Sequence, residues 1–145
     1  MVCSTLRGMG STVGPLRVLV ADDDRDTANL LAALLRDWGH DPHIALRGDE
    51  VGNIDRLIRP DVVILDINMP GMSGYAVARE IRERRGPLAP LLIAISGSWK
   101  ESSDQRVAAE LGFDHYLLKP FEPQALLALV DAFARRARGE ASGTQ

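Results

Sequence analysis

The chain has 145 residues, 46% of them hydrophobic and 26% charged, with a formal net charge of −3 at pH 7. This is the size and composition of one globular domain with a buried core. The small negative charge argues against nucleic acid or an anionic membrane as the main partner. The apolar runs fall short of the roughly 20 residues that span a bilayer, and the N-terminus lacks the apolar core of a signal peptide. With Cys3 as the only cysteine, we expect a reducing, cytoplasmic setting.

The two ends of the chain differ from its middle. Residues 1–15 are rich in Gly, Ser and Thr and close with Gly14-Pro15, which predicts a flexible N-terminal tail. Residues 138–145, with the sequence RGEASGTQ, predict a second loose tail. The segment 16–137 contains no long linker, low-complexity block or internal repeat, so we expect it to form one domain.

Strand-like and helix-like segments alternate along this domain. Short runs of β-branched and apolar residues predict strands at 17–21, 43–46, 61–65, 91–95 and 114–118. Apolar residues at three- and four-residue spacing predict helices at 25–38, 48–58, 74–85, 100–111 and 123–137. Gly39 is suited to end the first helix, and Pro123 lies in the first turn of the last one.

Five strands alternating with five helices predict an α/β domain with a parallel sheet. Right-handed crossovers leave few topologies, and the commonest order for five such strands is 2-1-3-4-5. In that order strands 1 and 3 are neighbours at the point where the winding reverses. Ligands of such sheets bind there, beyond the carboxyl ends of the strands.

Polar side chains follow four of the predicted strands and therefore gather at that edge. They are Asp22, Asp23 and Asp24 after the first strand, Asp66 after the third, Ser96 after the fourth and Lys119 after the fifth. Adjacent carboxylates repel each other, and loss of water disfavours their charged forms. A cation between them is therefore expected, and hard carboxylate oxygens are the ligands that Mg²⁺ selects. Asp24 is better explained as the N-cap of the first helix.

The same residues suit phosphoryl chemistry. An aspartate can act as a nucleophile and become an aspartyl phosphate, and Asp66 is the candidate because it follows the apolar strand at the centre of the row. A metal ion offsets the charge on the transferred group. The Ser96 hydroxyl can donate to one phosphoryl oxygen, and the Lys119 ammonium can pair with another.

The sequence resembles the receiver domain of two-component response regulators, in particular chemotaxis-regulator-like receivers, from about Arg17 to Arg135. Four motifs carry the resemblance: the acidic pair after VLVA, LDINMPGMSG around Asp66, AISGS around Ser96, and HYLLKPF, which contains Lys119. The resemblance implies that Asp66 accepts a phosphoryl group from a phosphohistidine on a sensor histidine kinase or a histidine phosphotransfer protein.

The resemblance also implies roles for the surrounding residues. Mg²⁺ would be bound by the side chains of Asp23 and Asp66, by the backbone carbonyl of Asn68, and by Asp22 mostly through water. Ser96 and Tyr116 would form a switch pair, and a cis Lys119–Pro120 peptide would place the ammonium.

The face made by the fourth predicted helix, the fifth strand and the fifth predicted helix would signal to an unknown downstream protein or to a second copy of the chain. As a phosphoprotein in phosphorelay signal transduction, the domain would not turn over a separate substrate.

Some positions depart from the family pattern or leave alternatives open. Ser96 replaces the Thr that is commoner in the family, Gly97 stands where Ala is frequent, and Trp99 has no assigned role. In the family, the positions of Asn68 and Ser98 influence the lifetime of the phosphorylated state. His40, His43 and His115 show no ligand spacing and are expected to be non-catalytic.

The chain fits a stand-alone receiver or one excised from a hybrid sensor kinase or multidomain regulator. A haloacid-dehalogenase-like phosphatase would need a second acid where Asn68 stands. A flavodoxin-like carrier would need a first loop without three carboxylates. A non-phosphorylated interaction module would not need the acid, hydroxyl and lysine set.

Overall fold

A computed structural model of the chain describes residues 15–97, 110 and 112–137. In these ranges strands and helices alternate in chain order. The elements are β1 (Arg17–Ala21), α1 (Arg25–Asp37), β2 (Asp41–Ala45), α2 (Gly48–Ile58), β3 (Val62–Asp66), α3 (Gly74–Arg85), a 3-10 turn (Gly86–Leu88), β4 (Leu91–Ser96), β5 (His115–Leu118) and α4 (Pro123–Ala137).

The five strands form one parallel sheet in the order β2-β1-β3-β4-β5. The predicted fold class and strand order are therefore confirmed. Every residue of β3 and β4 is buried, as expected for central strands covered on both faces. Strand β2 begins at Asp41, two residues before the predicted start. It lies at the edge of the sheet, where the missing N–H of Pro42 is tolerated.

Two apolar clusters cover the two faces of the sheet, because alternate residues of a strand point to opposite sides. One cluster joins strand residues such as Leu19 and Leu65 to the inner sides of α2 and α3. The other joins residues such as Val20 and Ile64 to α1 and α4. Each large apolar side chain buried in this way contributes about 1.5–3 kcal/mol, so the helices hold the sheet from both sides and leave its carboxyl edge open.

The helix ends follow the local sequence. The Asp24 side chain caps α1 by accepting the Asp26 N–H at 3.2 Å, which confirms its predicted role. Gly39, with a φ of 96°, follows the end of α1 as predicted. Among the described residues, no helix is both long enough and apolar enough to cross a membrane.

Several predictions fall outside the described residues. They concern Cys3, Ser98, Trp99, the helix at 100–111 (of which only Glu110 is fully described) and residues 138–145. The division into a tail at 1–15, a domain at 16–137 and a second tail stays a prediction.

Candidate functional site

Three carboxylates meet at the carboxyl edge of the sheet. Asp22 directly follows β1, and Asp66 is the last residue of the neighbouring strand β3. Asp22 is fully buried and Asp66 is 6% exposed, whereas Asp23 faces solvent. One carboxylate oxygen from each of these residues lies within 4.8 Å of the other two. The strand order thus brings the predicted acidic residues into one cluster with the spacing of a cation site.

Lys119 reaches the two buried carboxylates from the segment after β5. Its Nζ lies 2.9 Å from Oδ2 of Asp22 and 3.2 Å from Oδ2 of Asp66. Its backbone N–H donates to the carbonyl of Ser96 at 2.8 Å, which ties this segment to the end of β4. The Lys119–Pro120 peptide is cis, as the resemblance implies. The ammonium group is therefore held between the two buried carboxylates of the acidic cluster.

Local backbone hydrogen bonds orient both buried carboxylates. Oδ1 of Asp22 accepts the N–H of Asp24 at 2.9 Å, and Oδ1 of Asp66 accepts the N–H of Asn68 at 3.1 Å. Such turns, in which a side chain accepts an N–H two residues ahead, are typical of aspartate. Each carboxylate thereby fixes one oxygen locally and directs the other towards Lys119.

The site carries an excess of negative charge. Burial raises the pKa of Asp66 above its ordinary value, and the charge of Asp22 raises it further, against the opposing effects of the Asn68 N–H and Lys119. Burial would lower the pKa of Lys119, but hydrogen bonding to Asp22 and the charges of both acids outweigh burial and raise it. When ionised, three carboxylates against one ammonium leave a net charge of −2. The arrangement favours an additional cation.

Ser96 and Tyr116 lie on the adjacent strands β4 and β5. Ser96 is the last residue of β4, is 3% exposed, and directly follows Ile95, the register partner of Asp66. Tyr116 pairs with Ala94 on the neighbouring strand and packs, half-buried, against the core cluster beneath α2 and α3. Ser96 therefore lies at the same edge of the sheet as the acidic cluster, and Tyr116 lies further back along the neighbouring strand.

Sequence reasoning missed a close contact that supports the loop after β3. The N–H of Gly48 donates to the carbonyl of Pro70 at 3.0 Å, and a Cβ at Gly48 would lie 1.8 Å from the carbonyl oxygen of Met72. Only glycine allows this approach. The contact holds the loop that carries Asn68, and the only sequence signal for it is a glycine at the start of the second predicted helix.

Two of the three histidines make contacts outside the acidic cluster. Nδ1 of His40 accepts the N–H of Leu16 at 3.1 Å, just before β1 begins and so at the opposite end of that strand. His43 pairs with Asp41 at 3.1 Å on the edge strand β2.

Comparisons with known proteins agree with this geometry. Residues 18–131 match the family model of the response regulator receiver domain. The chain is 38% identical over 120 residues to the DNA-binding response regulator MtrA of Mycobacterium tuberculosis, covering 83% of the chain and 51% of MtrA. MtrA of Mycobacterium leprae gives the same identity, with 52% of its length covered. The chain thus spans about half the length of these curated relatives.

Solved structures of the same class share the fold. The receiver domain of Francisella response regulator 1452 superposes with a TM-score of 0.78 at 26% identity, covering 84% of this chain and 98% of that one. The BeF3-activated N-terminal receiver domain of RstA from Klebsiella pneumoniae superposes with a TM-score of 0.75 at 27% identity, covering 82% of this chain and 98% of that one. With its sheet order, its acidic cluster and these matches, the chain belongs to the response regulator receiver domain family.

Proposed function

We propose that this chain is the phosphoacceptor of a two-component or phosphorelay system. Asp66 takes the phosphoryl group from a phosphohistidine on a sensor histidine kinase or a histidine phosphotransfer protein. The observation that carries the proposal is the contact of Lys119 Nζ with both Asp22 and Asp66, beside the exposed carboxylate of Asp23. A carboxylate at an open sheet edge, with a lysine held beside it, is suited to receive a phosphoryl group.

The residues divide the chemistry among them. A carboxylate oxygen of Asp66 attacks phosphorus, the new P–O bond forms as the P–N bond breaks, and the electron pair returns to the imidazole nitrogen of the donor. Lys119 pairs with a phosphoryl oxygen, and the Ser96 hydroxyl donates to another. The N–H of Asn68 keeps the Asp66 carboxylate oriented.

The donor set fits Mg²⁺. Three carboxylates with oxygens inside 4.8 Å and a net charge of −2 match a hard divalent cation. The side chains of Asp23 and Asp66 and the backbone carbonyl of Asn68 would hold it, with Asp22 contributing mostly through water because it is buried and paired to Lys119. When bound, the ion offsets the charge of the phosphoryl oxygens.

Phosphorylation then acts as a local charge change with a wider structural consequence. The Ser96 hydroxyl moves towards the phosphoryl group and the Tyr116 ring turns inward behind it. The surface around β5 and α4 reports this state to a downstream protein or to a second copy of the chain. No separate substrate is turned over, and no nucleic acid or membrane is contacted by these residues. MtrA is described as DNA-binding, but the chain covers only 51% of its length.

An apolar groove beside the site suits the incoming donor protein. It has a volume of about 420 Å³ and lies between α1 and the segment after β5. Leu30 on α1 is 60% exposed at this groove, and Lys119 belongs to both the groove and the acidic cluster. A protein that brings a phosphohistidine to Asp66 would rest on this surface, because Lys119 lines the groove and contacts the reacting carboxylate.

Intact mass measurement tests the proposal. After incubation with acetyl phosphate and Mg²⁺, the wild type gains one phosphoryl group and acetate leaves. Asp66→Asn does not gain the group, and neither does the wild type in EDTA. Asp37→Asn, an exposed aspartate at the end of α1, is the matched control and gains the group normally. A gain that persists in Asp66→Asn, or one indifferent to Mg²⁺, would contradict the assignment.

A further inference from the structure

A second charged site lies at the opposite, amino-terminal edge of the sheet. Helices α2 and α3 run antiparallel to the strands and end there, just before β3 and β4 begin. A cavity of about 420 Å³ lies between these ends. It is lined by four arginines and one leucine: Arg56, Arg59, Arg84, Arg85 and Leu88. In a chain whose net charge is −3, this is a local concentration of positive charge.

Two of the guanidinium groups are fixed by acidic side chains. Asp55 is fully buried, and its Oδ1 accepts a hydrogen bond from Nη1 of Arg85 at 2.8 Å. Its Oδ2 lies 2.8 Å from Nη1 of Arg84, at the distance of an ion pair but without the orientation of a hydrogen bond. Nε of Arg84 also donates to Glu80 at 2.8 Å. These contacts hold both planar groups at the cavity wall before any ligand arrives.

The cavity keeps positive charge and donor capacity to spare. Four arginines against Asp55 and Glu80 leave a net charge of +2. The side chain of Arg85 is only 10% exposed, yet its buried Nε has no hydrogen-bond partner among the described residues. The exposed side chain of Arg59 forms no ion pair with any acid in the described ranges.

The helix ends explain part of this arrangement but not all of it. Basic residues in a last helical turn are stabilised by the carbonyl end of the helix dipole, which accounts for Arg56 and Arg84 without any ligand. Arg59 is the C-cap of α2, and its left-handed conformation, with a φ of 50°, is common at helix ends and needs no ligand. The unsatisfied Nε of Arg85 is buried and out of reach of a ligand. What the helix ends leave unexplained is the gathering of four guanidinium groups around one cavity, with Arg59 exposed there.

We propose that this cavity binds the phosphate or diphosphate group of a small organic molecule. Guanidinium forks match the geometry of phosphate oxygens, and a local charge of +2 matches a phosphate dianion. The volume is larger than a phosphate group needs and lies in the range of about 300–1,000 Å³ found for small-molecule sites. Leu88, 72% exposed at the rim, offers an apolar wall for the organic part.

Pyrophosphate in EDTA is the probe, at an ionic strength held constant with chloride. We expect saturable one-to-one binding by titration calorimetry, and a shift of the Nε–Hε signal of Arg59 in NMR spectra. Arg59→Gln should weaken binding by about tenfold or more, because it removes a charge-assisted contact. Arg36→Gln, an exposed arginine in the last turn of α1, is the control and should bind as the wild type does.

Two results would overturn the inference: no saturable binding, or an equal loss of affinity in Arg36→Gln and Arg59→Gln. The assay involves no phosphoryl transfer, so its outcome is independent of whether Asp66 is the phosphoacceptor.

Discussion

Replacing Lys119 by methionine should expose how strongly the buried carboxylates depend on one ammonium. The substitution keeps most of the apolar stem and removes the charge. Among the described residues, Lys119 is the one cation that contacts Asp22 and Asp66. Oδ1 of Asp22 would keep the N–H of Asp24, but its Oδ2 would lose its 2.9 Å partner. A fully buried carboxylate would then remain without compensation.

The expected loss can be bounded from two sides. Removing one member of a buried ion pair typically destabilises a protein by about 3–5 kcal/mol. A carboxyl group can escape by taking up a proton, which costs about 4 kcal/mol at pH 7 and about 1.5 kcal/mol at pH 5, starting from a reference pKa of about 3.9. We therefore expect Lys119→Met to lower the free energy of unfolding by about 3–4 kcal/mol at pH 7 and by at most about 1.5 kcal/mol at pH 5. At about 3 °C per kcal/mol, the Tm falls by about 10 °C at pH 7.

Thermal unfolding followed by circular dichroism in EDTA, at both pH values, measures this difference. Arg36→Met is the matched control, an exposed basic residue whose replacement should change stability by no more than about 0.5 kcal/mol. Saturating Mg²⁺ should reduce the loss in Lys119→Met, because the ion neutralises the same carboxylates. A loss of equal size at pH 5 and pH 7, or one that Mg²⁺ leaves unchanged, would refute the reasoning.

Three further predictions follow from the same geometry. Because the pKa of Asp66 is raised on folding, the folded state binds more protons than the unfolded state between the unfolded and folded pKa values, and metal-free stability falls as the pH rises through that window. Asp66→Asn should therefore unfold at a higher temperature than the wild type in EDTA at pH 7, and a lower Tm would contradict this. Gly48→Ala should lower the free energy of unfolding in urea by about 1–3 kcal/mol and weaken Mg²⁺ binding, because its Cβ would press on the Met72 carbonyl. Gly52→Ala is the control and should not destabilise, because its Cβ would lie 3.6 Å from the nearest side-chain atom in the middle of α2. Similar losses of stability in both variants would argue against the loop contact. Leu30→Ala should leave phosphorylation by acetyl phosphate unchanged, but it should slow phosphoryl transfer from a histidine-phosphorylated donor protein several-fold in a label-transfer assay. An unchanged rate of transfer would show that the groove is not the docking surface.

The sheet and its acidic edge could be predicted because both depend on short-range patterns and on one general rule. Apolar runs such as 61–65 mark buried strands, and parallel strands present their carboxyl ends at the same edge. Once the order 2-1-3-4-5 is chosen, Asp22 and Asp66 must be neighbours. The start of β2 was wrong by two residues, because Asp41 and Pro42 are poor strand formers on their own and join the sheet only through pairing with β1.

Features that depend on contacts between distant loops could not be predicted. The need for glycine at position 48 arises from the Met72 carbonyl, 24 residues away in the chain. The arginine cavity likewise joins the ends of two helices, with Asp55 bonded to Arg85 across 30 positions. In the sequence alone, each of these arginines is an ordinary helix-end charge. Only the packing of α2 beside α3 brings the four arginines together.

The most direct test of the central claim is to locate the phosphoryl group. The chain is incubated with acetyl phosphate and Mg²⁺, the acyl phosphate is reduced with borohydride, and the peptides are mapped by mass spectrometry. We predict homoserine at position 66, in a yield that disappears when Mg²⁺ is chelated. Homoserine at Asp22 or Asp23 instead, or at position 66 in equal yield without the metal, would contradict it.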